Sequence, residues 1–178
     1  MGEVFAFVSG LYFRGKLTYA QRFADVGDHP ARTELGGGVL VITPGAGLRS
    51  ADTHVNAEAL RLFAQIEIDL ANPAYRTPLV ASARRVARAI GEGGEVVLLG
   101  SIASPKYVDV LLGIFGERLR FPTDFVGRGD MSRGGLLLRC VTANEELEYA
   151  PLVADAPRHG SRPPKLIPLS KAAVPRQP

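Results

Sequence analysis

Residues 95–141 read E-V-V-L-L-G-S-I-A-S-P-K-Y-V-D-V-L-L-G-I-F-G-E-R-L-R-F-P-T-D-F-V-G-R-G-D-M-S-R-G-G-L-L-L-R-C-V. The apolar run Val96 to Leu99 predicts a buried strand that stops at Gly100-Ser101. Ser104 then fits a helix N-cap and Pro105 the first helical position, where a missing N–H costs nothing. Val108, Leu111, Leu112 and Phe115 recur at i, i+3, i+4 and i+7, the spacing of one buried helical stripe. A second short run, Leu119 to Phe121, ends at Pro122. The segment Phe125 to Gly135 packs four glycines, two arginines, an aspartate and a serine into eleven residues. It reads as a polar loop feeding a further strand, Leu136 to Leu138.

Working outward, Val4 to Val8 is an apolar run without alternation that ends at Ser9-Gly10, and it predicts a first buried strand. A helical face follows at Tyr19, Phe23 and Val26, closed by Gly27 and Asp28-His29-Pro30. Val39 to Ile42 predicts a second strand, ending in Thr43-Pro44-Gly45-Ala46-Gly47-Leu48. Helices are expected around Ala59, Leu62, Phe63 and Ile66, and again from Asn72-Pro73 or Thr77-Pro78, with Leu79, Ala83, Val86, Ala87 and Ile90 as the apolar face and Arg84, Arg85 and Arg88 opposite. Asn144-Glu145-Glu146 suggests a hairpin turn into Leu147 to Ala150. Apolar strands interleaved with helices predict a three-layer α/β domain. Its sheet is mainly parallel, with helices on both faces and an antiparallel C-terminal edge. Residues 1–150 form that single domain.

In such a fold, ligands bind beyond the carboxyl ends of the strands. Ser9-Gly10, Thr43-Pro44-Gly45 and Gly100-Ser101 would then share one rim. Gly100 and Ser101 could offer backbone N–H groups to an anion at a helix N-terminus, or could simply form a tight turn. Arg128 and Arg133 have the forked donors that suit carboxylate or phosphate. Asp130 is the candidate catalytic acid–base or ribose-contacting group, and Ser132 lies between the arginines. The same residues also read as an Arg–Asp-stapled surface turn. Tyr12, Arg14, Lys16 and Tyr19 pair bases with aromatics, as a phosphate-and-base site requires, or else form an ordinary helix start. Asp52 is a second carboxylate near the expected rim. The substrate-binding set is therefore Ser9, Arg14, Thr43, Gly45, Gly100, Ser101, Arg128, Ser132 and Arg133.

Composition narrows the classes. The chain has 178 residues, 46% of them hydrophobic, enough for one sizeable core. No apolar run reaches the roughly 20 residues of a membrane span, and the start lacks a basic n-region, so a cytoplasmic protein is expected. Met1-Gly2 lacks the hydroxyl residue that a myristoylation signal wants at position 6. Of the 21 Lys and Arg, five lie from Pro151 onward with only one of the 18 Asp and Glu, so residues 1–150 are nearly neutral. The tail 151–178 also holds seven of the 13 prolines and reads as extended or disordered, with Leu166, Ile167 and Leu169 able to dock. His29, His54, His159 and Cys140 have no metal-ligand spacing, so neither metal nor cofactor is expected. Cys140 reads as a small core side chain. There is no G-x-G-x-x-G, Walker A or G-x-S-x-G signature.

The pieces V-V-L-L-G-S-I-A-S-P-K-Y and F-V-G-R-G-D-M-S-R-G-G-L-L-L-R resemble a bacterial family of conserved, uncharacterised proteins. More distantly, the layout is similar to peroxide-stress YaaA-like α/β domains. The matching parts are Ser9 to Ala20, Val39 to Leu48 and the late strand–Gly–helix, about two thirds of the chain. T-P-G-A-G-L in the middle segment and a first loop without cysteine depart from that pattern. The resemblance implies nucleobase or nucleoside chemistry. Together these readings lead to an expected function: binding of a phosphorylated or nucleoside-like small molecule, with or without cleavage of a glycosidic or phosphoester bond. The alternative is a non-enzymatic interaction domain whose basic tail binds nucleic acid or an acidic partner.

Overall fold

The first apolar run is helical. A computed structural model describes residues 1–153 with Gly160, Ser161, Pro163, Pro164 and Leu166. In it, residues 2–23 form α1 (Gly2–Phe23), broken at Gly10, whose φ of 73° and ψ of −158° lie outside helical space. That conformation is open to glycine and strained for other residues. It turns the chain back on itself. The rings of Phe5 and Phe13 lie 5.7 Å apart, and Gly2 packs against the Leu17 side chain. The result is a helical hairpin whose first arm is anchored by the N-terminal ammonium donating to the Thr53 carbonyl at 2.6 Å. Ser9-Gly10 thus marks a genuine boundary, but between two helical arms rather than after a strand. A short apolar run carries no period long enough to separate the two cases.

After α2 (Ala31–Leu35), β1 (Leu40–Thr43) and β2 (Gly47–Ser50) form an antiparallel hairpin, with Leu40 opposite Ser50 and Thr43 opposite Gly47. The tight turn is built by Thr43, whose hydroxyl donates to the Gly47 carbonyl at 2.8 Å and accepts from the Ala46 N–H at 3.1 Å. Gly47 has φ 67°, and a Cβ there would strike the Pro78 carbonyl. α3 (Ala57–Ala64) is capped by Asn56, which accepts from the Ala59 N–H at 2.8 Å. α4 (Pro73–Ala89) is capped by Asn72, with Pro73 at its start. Tyr75, Leu79, Ala83 and Val86 of α4 are buried along one stripe, while Arg84, Arg85 and Arg88 face solvent.

β3 (Val96–Val97) pairs in parallel with β4 (Leu119–Pro122), and β4 pairs antiparallel with β5 (Tyr149–Pro151). α5 (Pro105–Phe115) connects β3 to β4, burying Val108, Leu111 and Phe115. α6 (Asp130–Ala143) connects β4 to β5. Leu136 to Leu138 therefore belong to a helix, and the glycine-arginine segment is that helix's entry and first turns. Arg133, Leu137 and Cys140 are buried at i, i+4 and i+7.

The described residues are mostly helical, with two small sheets of two and three strands. Among the described residues the expected three-layer, mainly parallel sheet does not form: two of its strands are helical, and the only parallel pairing among them spans two residues. The main core gathers Leu48, Leu79, Val86, Ile102, Leu111, Leu119 and Leu152 among α4, α5 and both sheets. A second core joins α1 to α6 through Tyr19, Phe125, Leu137 and Cys140. Those two helices run parallel and cross at bare backbone. A Cβ at Gly15 would lie 2.8 Å from the Gly134 carbonyl, and one at Gly134 would lie 2.9 Å from the Tyr12 Cα. Among the described residues no helix is long and apolar enough to cross a membrane.

Candidate functional site

The turn after β3 is where three helices meet. The Tyr12 hydroxyl of α1 donates to the Leu99 carbonyl at 3.0 Å, and the Tyr107 hydroxyl of α5 donates to the Ser101 carbonyl at 2.9 Å. Gly100 lies directly under Tyr107: an added Cβ would sit 2.9 Å from the tyrosine oxygen. Gly100 therefore leaves room for an aromatic lid, a role that its sequence neighbours did not disclose. The α5 N-terminus beside this turn has no acidic residue in its first turn, and Ser104 makes no side-chain cap bond to the helix. Its positive dipole end is left without a compensating carboxylate on that turn.

The third helix contributes Arg133 and Asp130. Arg133 is buried; its Nε and Nη2 both donate to the Phe125 carbonyl, at 3.2 and 3.0 Å, and its guanidinium lies 5.4 Å from the Phe125 ring centre. Its Nη1 faces Asp130 Oδ1 at 3.6 Å. Asp130 is two-thirds exposed and opens α6, where a carboxylate favours the helix dipole. Arg128 also spends its donors locally: Nε reaches the Asp124 carbonyl at 2.9 Å, Nη1 the Ser132 hydroxyl at 3.4 Å, and Nη2 lies 3.8 Å from Asp124 Oδ1. Both arginines staple the entry to α6.

Lys16 completes the cluster. It is half-buried one turn after Tyr12, with its ammonium 4.4 Å from the Tyr12 ring centre and 5.1 Å from that of Phe13. Among the described residues, no carboxylate lies within ion-pair distance of it. Burial pulls the Lys16 pKa below its usual value; the nearby Asp130 charge opposes this shift, and the Arg133 charge adds to it. Burial also raises Tyr12 to about 12, against the pull of the Arg133 guanidinium, and raises Tyr107 in the same direction. Two cations, Lys16 and Arg133, thus share one nearby carboxylate in a half-buried cluster with two tyrosines.

The expected site divides along these lines. Asp130, Arg133, Gly100 and Ser101 come together with Tyr12 and Lys16, and Arg128 and Ser132 lie at the entry to α6. Ser9 and Arg14 are exposed on α1. Thr43 and Gly45 build the β1–β2 turn, with Gly45 held against Ile66 of the segment after α3. A common strand-end rim therefore does not form, because Ser9 follows no strand. Asp52 is exposed and lines a separate shallow cavity of ≈ 230 Å³ with Gln21, Asp25 and Arg32. Tyr107 was missed; its spacing from Ser101 within S-I-A-S-P-K-Y was the available signal. Cys140 is a buried core side chain on α6, and burial raises its thiol pKa.

No family model, curated protein or solved structure matches this chain. Among the described residues, no group of three His, Cys, Asp or Glu is placed to hold a metal ion.

Proposed function

We propose that the Tyr12–Lys16–Tyr107–Arg133 cluster binds a small anion of the phosphate class, carried by a nucleoside-like or sugar-like molecule. The observation that supports this reading is Lys16: a partly desolvated ammonium without a carboxylate at ion-pair distance among the described residues, next to a second cation. Burying like charges is costly, and an anion between them removes that cost. The unprotected α5 N-terminus adds attraction of the same sign. The tyrosine faces offer an apolar wall for a base or sugar ring. Asp130 orders Arg133, and its exposure leaves it able to accept a hydroxyl of the ligand. Whether a glycosidic or phosphoester bond is then cleaved is a separate question, for which Asp130 is the acid–base candidate.

A thermal-shift series with inorganic phosphate, pyrophosphate, nucleoside monophosphates and sugar phosphates tests this reading. Pyrophosphate or a nucleotide is expected to raise the midpoint in the native protein and not in Lys16→Met. No shift with any of them, or equal shifts in both proteins, would remove the proposal.

A second reading, a non-enzymatic interaction domain, is favoured by Phe7 and Val8. They stand 90% and 66% exposed near the tip of the α1 hairpin. Adjacent in sequence, they are the start of an apolar surface of the kind that meets a partner when it is contiguous. The basic tail residues Arg158, Arg162, Lys165, Lys171 and Arg176, and the docking expected of Ile167 and Leu169, lie outside the described residues. Retention on a nucleic-acid resin at low salt, lost on deletion of residues 155–178, is the result that would favour this reading over the first.

A further inference from the structure

The solvent face of α4 carries charge of one sign. Between Asp69 and Glu92 the chain has four arginines (Arg76, Arg84, Arg85 and Arg88) and no carboxylate. All four are exposed, and among the described residues none has a carboxylate at ion-pair distance. Arg84, Arg85 and Arg88 fall within about 100° of arc and about 6 Å of helix length. Like charges at i and i+4 destabilise a helix, and solvated helix faces ordinarily mix the two signs. The helix dipole favours a cation in the last turn, which covers Arg88 and not Arg84 or Arg85. Past that turn, Arg118 donates through Nη1 to the Gly91 carbonyl and to the Gly94 carbonyl at 3.4 Å, which sets a further guanidinium beside the end of the helix.

The residues around these arginines point to the class of partner. Thr77 and Ala81 precede them on the same side of the helix, and both are small and exposed. Among the described residues, α4 exposes no large apolar side chain. Protein partners are held by buried aromatic and aliphatic anchors, and membrane surfaces by an inserted apolar face. This face supplies neither. Single-stranded nucleic acid stacks its bases on aromatic side chains, which the face also lacks. A duplex backbone needs cations that can approach closely, and the forked guanidinium suits its phosphates.

We propose that the Arg84–Arg85–Arg88 face of α4 binds the phosphate backbone of double-stranded nucleic acid without reading its sequence. The face uses no residue of the Tyr12–Lys16–Tyr107–Arg133 cluster and none of the basic tail, so it stands whether or not either of those binds. Three phosphate contacts give a slope of about −2.7 for log affinity against log salt, a loss of about fortyfold between roughly 50 and 200 mM.

The test is fluorescence anisotropy of a labelled mixed-sequence DNA duplex titrated with the full chain across that salt range. Three full-chain variants are compared with it: Arg85→Gln, the triple Arg84→Gln/Arg85→Gln/Arg88→Gln, and the charge-matched tail triple Arg158→Gln/Arg162→Gln/Arg176→Gln. The single variant is expected to flatten the slope by about 0.9, and the α4 triple to lose most of the binding while keeping the native urea midpoint. The tail triple is expected to bind like the native protein. Native affinity and slope in the α4 triple would overturn the proposal, as would a native protein that fails to bind the duplex at the lowest salt. Tighter binding of poly-glutamate than of the duplex would overturn the nucleic-acid assignment in favour of an acidic protein partner.

Discussion

Replacing Gly134 by alanine sets two physical effects of opposite sign against each other. Gly134 is an interior residue of α6 and has no positive φ. Helix propensity alone therefore predicts that alanine stabilises the protein by about 1 kcal/mol. The new Cβ, however, would lie 2.9 Å from the Tyr12 Cα and 3.1 Å from the Leu11 carbonyl oxygen. Ordinary carbon contacts need about 3.5–4.0 Å, so α1 and α6 must part by roughly 0.6–1 Å. Both colliding groups are backbone and cannot rotate away. Overpacking of this kind costs about 1–3 kcal/mol, and separating the helices also loosens the contacts of Tyr19 with Leu137. The expected net loss for Gly134→Ala is about 1–2 kcal/mol. Gly15→Ala, whose Cβ would meet the Gly134 carbonyl at 2.8 Å, should behave alike. The double variant should cost less than the sum, since both act at one crossing. Urea midpoints with unchanged slopes measure all three. A gain in stability for either single variant would show that the helices do not cross at these residues.

Removing Arg133 takes two of three donors from the Phe125 carbonyl and leaves the Arg128 N–H at 3.2 Å, so Arg133→Met is expected to cost about 1–2 kcal/mol by urea denaturation. Arg128→Ala, which loses the 2.9 Å bond to the Asp124 carbonyl along with the long pairing to its carboxylate, should cost about 1 kcal/mol in the same assay. The Tyr75 hydroxyl is buried and meets no partner among the described residues, so Tyr75→Phe should stabilise by about 1 kcal/mol; a loss of that size would mean the hydroxyl is bonded. All five tyrosines have pKa values raised above 10, mainly by burial, Tyr12 and Tyr75 to about 12. A neutral tyrosine favoured in the folded state stabilises fully below pH 10, and that contribution is lost as pH rises through about 12. Tyrosinate absorbance should therefore stay low until unfolding sets in above pH 10, with Tyr75 alone contributing up to about 3 kcal/mol. Tyrosinate appearing near pH 10 in the folded protein would contradict the burial.

Legibility in the sequence followed the length of the pattern. Val108, Leu111 and Phe115 repeat over about two turns, and Ser104-Pro105 marks the start, so α5 could be placed from residues alone. For α4 the residues left two starts open, Asn72-Pro73 and Thr77-Pro78, and the Asn72 cap decides for the first, with Pro78 inside the helix. Val4 to Val8 spans five residues, too few to distinguish a strand from a helix, and only the return of Phe5 onto Phe13 through Gly10 decides the matter. Leu136 to Leu138 misled for a different reason. Gly134-Gly135 reads as a loop by local preference, yet the glycines serve close approach by α1 and by Leu166, a tertiary demand invisible in sequence. Around the site, the anionic and cationic residues of G-R-G-D-M-S-R were legible as a set, including the stapled-turn reading that Arg128 follows. Lys16 beside Tyr12 was legible as a phosphate-holding candidate, but its lack of a close carboxylate was not, since that depends on which elements surround it.

The most direct test of the charge imbalance at the three-helix junction is an NMR pH titration of the Lys16 side chain, in the absence and presence of pyrophosphate. The free protein is predicted to lose this proton below the ordinary lysine value of 10.5, because burial and Arg133 outweigh Asp130. Pyrophosphate should move the transition back upward, with the size of the rise tracking the affinity. A lysine that titrates at its ordinary value, and does not respond to the anion, would contradict the account.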